Sequence, residues 1–135
     1  MAFGAQQIFP QDLNPSQAIG INLPLNGPAV FKSNSQTKDS IKSNLINFFL
    51  TNPGERYLNP SFGGGIRKFV FEQIENNNIS SLKENINSKL MSAFPNIEVT
   101  SLNISTVNGD NNQIIISLFY KLKNTNINDN INIQF

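Results

Sequence analysis

Near Pro95 the period at which apolar residues recur falls from about 3.6 to about 2, dividing the chain into a helical part and a strand part. Upstream, Ile41, Leu45, Ile46, Phe48 and Phe49 form one helical stripe, predicting a helix from Ser35 to about Asn52. Ser35, Thr37 and Ser40 offer N-cap oxygens there, and Asp39 suits the positive end of the helix dipole. A second helix is expected from Gly64 to Asn76, with Ile66, Phe69, Val70 and Ile74 inward. The third runs from Ile79 to Phe94 through Ile79, Leu82, Ile86, Leu90 and Met91, and Pro95 closes it.

Downstream, Ile97 and Val99 are out of phase with Leu102 and Ile104, which predicts a strand carrying a bulge. Asn108-Gly109-Asp110 turns it into a second strand, where Ile114, Ile116, Leu118, Tyr120 and Leu122 alternate cleanly. Ile127, Ile131, Ile133 and Phe135 make a weaker final strand. The fold class is therefore α+β, with three helices packed on one face of a small antiparallel sheet.

Residues 1–34 read differently. Pro10, Pro15, Pro24 and Pro28, with Gly4, Gly20 and Gly27, forbid a long helix and favour an extended arm. Two short strands are expected in it, Ala18–Leu23 and Ala29–Lys32, around an Asn26-Gly27 turn. The division expected is an arm over 1–34 and an α+β core domain over 35–135. A chain of 135 residues has the usual size of one domain.

Composition narrows the function. The chain has no cysteine and no histidine, so disulfides, thiolate metal sites and the usual hydrolase triads are all excluded. No cofactor or metal is implied. A formal charge of +1, with 14% charged residues against roughly 25% in an average domain, provides no basic field for nucleic acid. No stretch reaches the roughly 20 apolar residues that span a bilayer, so no membrane partner is expected. Met1-Ala2-Phe3-Gly4 lacks the flank and core of a secretory leader, which predicts cytoplasmic synthesis. Of eleven phenylalanines, Phe48, Phe49, Phe69, Phe71 and Phe94 fall at core spacings. Phe3, Phe9 and Phe31 lie in the arm, where burial against a neighbouring subunit is the better reading.

The most informative segment is Thr51-Asn52-Pro53-Gly54-Glu55-Arg56-Tyr57-Leu58-Asn59-Pro60-Ser61-Phe62-Gly63. Two prolines and two glycines fix this loop, and adjacent Glu55 and Arg56 point to different partners. Those partners are either another protein or the domain's own helices. Together with Ile19-Gly20-Ile21-Asn22-Leu23-Pro24, Gly27-Pro28-Ala29-Val30-Phe31 and Phe71-Glu72, the loop resembles the sheath-initiator family of contractile tails, the small baseplate wedge subunits of contractile phages. The resemblance runs from Ile19 to Phe71 and rests downstream on pattern only.

The resemblance implies a virion protein, assembled in the host cytoplasm, that catalyses nothing. Its implied partners are the tail sheath protein and other wedge proteins with their helical core bundle, with the tail tube or baseplate hub as further candidates. Sheath initiation in such a family implies β-augmentation, in which an unpaired strand edge is completed by an incoming strand. The edge is expected in Ile114–Lys123 or Ile131–Phe135, where Ile131, Ile133 and Phe135 are the interaction residues. The loop contributes Pro53, Gly54, Glu55, Arg56, Pro60, Phe62 and Gly63. The family's Glu-Pro-Arg motif falls at Phe94-Pro95-Asn96, where only the proline is kept, so Phe94 packing, Asn96 hydrogen bonds or Arg56 must serve instead.

Some members of that family carry a lysozyme-like label, which makes a peptidoglycan-cleaving glycosidase the rival reading. It needs two carboxylates about 5 to 9.5 Å apart, one with a raised pKa. Only Glu55 and Glu72 look fixed by their surroundings, and Arg56 beside Glu55 would keep that group ionised. The chain also has no tryptophan to stack on sugar, which leaves that task to Tyr57, Tyr120 and the phenylalanines. A regulatory adaptor of the same fold is a third possibility, since fold alone does not fix function.

Overall fold

A computed structural model describes residues 10–13, 16–23, 25, 33–71, 76–107 and 110–135. After a short 3-10 turn at Pro10–Leu13, strands β1 (Gly20–Ile21) and β2 (Ser33–Asn34) pair antiparallel. Helices α1 (Thr37–Leu50), α2 (Ile66–Val70) and α3 (Asn76–Ala93) follow, then strands β3 (Ile97–Val107), β4 (Asp110–Leu122) and β5 (Asn128–Gln134). The last three form an antiparallel sheet in the order β3-β4-β5. The chain is α+β, as the change of period requires.

Helix α3 lies against β3, α2 against β4 and α1 against β5. The face they cover carries Ile114, Ile116, Leu118, Tyr120 and Leu122 of β4, all fully buried. These residues meet Leu45, Phe48 and Phe49 of α1, Ile66 of α2, and Ile86 and Leu90 of α3 in one core. Burying such a side chain contributes about 1.5–3 kcal/mol, so this single layer of contacts holds the domain together. The phase slip in β3 is a real bulge, with the register breaking between Val99 and Ser101.

Five expectations need correction. Ser35, Thr37 and Ser40 do not cap α1: the N-cap is Gln36, and no side chain of its own closes the turn. Asp12 does that from the 3-10 turn, its Oδ1 accepting from Thr37 N at 2.7 Å and from the Thr37 hydroxyl at 2.9 Å. The second helix spans Ile66–Val70, with Ile66 and Phe69 inward, and Ile74 lies outside the described residues. Phe71 follows its last turn and is 90% exposed, so it builds no core. The strand Ala18–Leu23 shortens to Gly20–Ile21, while Ala29–Lys32, the Asn26-Gly27 turn, Phe3, Phe9 and Phe31 lie outside the described residues. Finally, Ile114–Lys123 cannot be an edge, because β4 is paired on both sides.

Candidate functional site

The loop from Thr51 to Gly65 is built by its own main chain. Gly54 N donates to Pro60 O at 2.7 Å across the loop, Phe62 N donates to Asn59 O at 3.1 Å within it, and Gly64 N to Phe48 O at 3.0 Å ties its exit to α1. Gly63 has a φ of +125°, and a Cβ there would collide with the Thr51 carbonyl oxygen. Glycine alone therefore satisfies that position.

Glu55 secures the entrance. Its Oε2 accepts from Asn52 N at 3.0 Å and its Oε1 from Asn52 Nδ2 at 2.8 Å. These donors, with a smaller influence from Arg67, hold the exposed carboxyl below the usual carboxylate range. Asn52, rather than Arg56, keeps Glu55 ionised. The Arg56 guanidinium instead sits 4.0 Å from the centroid of the Phe62 ring, a cation–π contact.

Phe62 joins the loop to the Phe94-Pro95-Asn96 turn. It packs edge-on to Phe48 at 5.4 Å and to Phe94 at 6.4 Å, and Phe48 meets Phe94 at 5.9 Å. Arg56, Phe62 and Phe94 thus share one aromatic cluster, bringing together two segments more than thirty positions apart in sequence. Pro95 and Asn96 are exposed beside it, and the Asn96 carbonyl accepts from Lys123 N at 2.9 Å. At the loop tip Tyr57 and Leu58 are 96% and 94% exposed. Sequence reasoning passed over them as binding residues; the only signal was two bulky apolar side chains in a loop without helical or strand period.

The C-terminal strand is positioned differently. Asn124, at a φ of 61°, and the buried Thr125, whose hydroxyl donates to Leu122 O at 3.0 Å, shape the turn that returns the chain along β4. Asp129 then pins β5 to its surroundings. Its carboxylate accepts from the Tyr120 hydroxyl at 3.4 Å and lies 4.0 and 3.9 Å from the Lys38 and Lys42 ammonium groups of α1. Burial and the Asp129 charge push the Tyr120 hydroxyl pKa up, so it stays a donor. Ile131 is buried in the core, and Ile133 and Phe135 are half-buried against it. The opposite long side of β5 has no partner strand among the described residues.

Residues 35–127 match the sequence profile of the family described as baseplate wedge protein gp25. The chain belongs to that family. Membership makes it a structural component of a baseplate, and the match takes in the loop, all three helices and the first two strands of the main sheet. Among solved structures, a Geobacter sulfurreducens protein provisionally named a tail lysozyme superposes with a TM-score of 0.66 at 25% identity, covering 77% of this chain and 94% of its own. The anti-feeding prophage baseplate contains a chain with a TM-score of 0.61 at 21% identity, covering 78% of this wedge protein and 81% of its own length. No curated protein sequence matches significantly. Strand β5 begins at Asn128, just past the span that the gp25 profile matches.

Proposed function

We propose that this wedge protein seeds sheath assembly through the open edge of β5 and is anchored in the wedge by the loop around Pro53–Gly63 and the adjoining Phe94 turn. The sheath protein is then the partner at the strand, and wedge proteins with their helical core bundle are the partners at the loop. The tail tube or hub are further candidates. The tail particle is the site of action, after assembly in the host cytoplasm, with residues 1–34 serving as an arm and 35–135 as the docking domain.

The observation that carries this reading is the unpaired side of β5, which ends the sheet among the described residues. A free strand edge is a template for another strand unless something covers it. Fold likeness to a chain of a prophage baseplate and membership of a wedge family support the setting. The apolar tip Tyr57-Leu58 supports a second contact, because exposed bulky side chains on a rigid frame suit a protein interface.

On this reading the protein catalyses nothing. The structural relative named as a tail lysozyme keeps a glycosidase in view, yet Glu55 is poorly suited to general acid work. Such an acid needs an apolar pocket that raises its pKa, whereas Glu55 is exposed and its pKa is lowered. Glu72 lies outside the described residues.

Truncating the chain before β5 is a poor test, because Ile131 belongs to the core. Asn132→Pro is better: the Asn132 N–H faces away from β4, so proline there removes an edge donor and spares the internal ladder. Baseplates carrying this variant should fold and assemble yet nucleate sheath at least tenfold less often, scored by electron microscopy. Normal sheath growth on them would remove the edge assignment.

A further inference from the structure

Strand β5 presents more than bare main chain at its open side. Ile114 N donates to Phe135 O at 3.1 Å and Phe135 N to Ile114 O at 2.8 Å, so these two residues exchange both bonds. In an antiparallel ladder such pairs recur at every second position, which turns Ile133, Ile131 and Asp129 toward β4 as well. Leu122 N donating to Ile127 O at 3.1 Å fixes the same phase at the other end. The N–H and C=O groups of Asn128, Asn130, Asn132 and Gln134 therefore point to the free edge.

Those same four residues are exposed, whereas Asp129, Ile131 and Ile133 are turned inward. Asn128, Asn132 and Gln134 thus each offer a main-chain donor, a main-chain acceptor and a side-chain amide together, whereas at Asn130 the N–H already donates to Asp129 Oδ1 at 2.9 Å and the carbonyl and amide are left to offer. The neighbouring solvent face is polar in part. Gln134 Nε2 donates to Gln113 Oε1 at 3.2 Å across β4 and β5, and Asn132 stands opposite Ser117, which stands opposite Asn103, while Asn130 stands opposite the exposed Phe119 and Gln134 opposite Ile115. Asn128 to Gln134 contains no proline and no lysine, and its pairing with β4 shows no bulge; its one guard is the inward-turned Asp129, which is paired with Lys38 and Lys42.

We infer that the β5 edge selects a strand that carries an amide or hydroxyl side chain at every second position, facing solvent, with apolar residues between. This rests on strand addition at β5. Strands lie about 4.8 Å apart, so amides on the incoming strand would stack in register with Asn128, Asn130 and Asn132 and share hydrogen bonds with them. Apolar side chains in those positions would leave the amide row without partners on that side. The intervening apolar residues would extend the layer formed by Ile131, Ile133 and Phe135.

The test titrates the full chain with two synthetic peptides, one alternating Asn with Ile and its twin alternating Ala with Ile, both flanked by lysines for solubility. Calorimetry should give about tenfold tighter binding for the Asn peptide, the effect expected of a few cross-strand pairs. Asn130→Val/Asn132→Val, which keeps every main-chain group, should erase that preference. Asn132→Pro should abolish binding of both peptides. Equal affinity of the wild-type chain for the two peptides overturns amide selection and leaves strand addition standing. Binding of neither peptide, or binding that Asn132→Pro leaves unchanged, overturns strand addition itself and the selection with it.

Discussion

The loop around Pro53–Gly63 and the strand β5 present themselves to a neighbour in opposite ways. In the loop, the main chain is engaged internally, through Gly54 N to Pro60 O and Gly64 N to Phe48 O, and it is side chains such as Tyr57 and Leu58 that are left outward. In β5 the apolar side chains are engaged, Ile131 in the core and Phe135 against it, and the main chain is left outward. Side-chain presentation discriminates by shape, so it suits a fixed anchoring contact. Main-chain presentation is periodic and forgiving of sequence, so it suits a partner added in repeating units.

Substitutions can separate these two modes. The largest effect is expected at Gly63→Ala, where strain and collision with the Thr51 carbonyl should lower stability by about 3 kcal/mol, read as a drop in Tm by calorimetry. A shift under about one degree would mean that the loop has no fixed frame to lose. Next comes Tyr57→Ser/Leu58→Ser. Both side chains are almost fully exposed, so stability should change by less than about 0.5 kcal/mol while capture by the wedge falls roughly tenfold in pull-downs. Equal losses of Tm and capture would make the tip structural. The smallest effect is that of pH on Glu55. Its pKa is lowered on folding, so its contribution is complete above the ordinary carboxylate range and is lost as pH falls through the folded value. The protection of the Asn52 amide, taken relative to its intrinsic exchange rate at each pH, should therefore fall at low pH, and Glu55→Gln should blunt that response while leaving β5 unaffected.

Much of the fold was legible because apolar period is a local property. The bulge at Val99/Ser101 shows it best, since a shift of phase in sequence became a shift of register in the sheet. Long-range partners leave no such trace. Asp12 caps a helix that begins 25 residues later, and nothing around Thr37 announces the distant acceptor waiting for its N–H. Phe71 continues the apolar run of Phe69 and Val70, but the helix stops at Val70 and the ring faces water. The regular alternation of Ile114 to Leu122 signals one buried face and is silent on whether either edge is free. For the loop, the proline and glycine positions foretold rigidity, whereas the exposure of Tyr57 and Leu58 depends on where the frame points them.

The described residues that precede Thr37 are hydrogen-bonded to helix α1. Asp12 holds the first turn of α1, the Ser43 hydroxyl accepts from Leu23 N at 3.2 Å and from Asn34 Nδ2 at 3.0 Å, and Gly20 passes so close to Ser40 that a Cβ would meet its hydroxyl at 2.8 Å. The same helix carries Lys38 and Lys42, which reach Asp129 on β5. Helix α1 is consequently the element through which residues 10–34 and the strand at the margin of the sheet are connected.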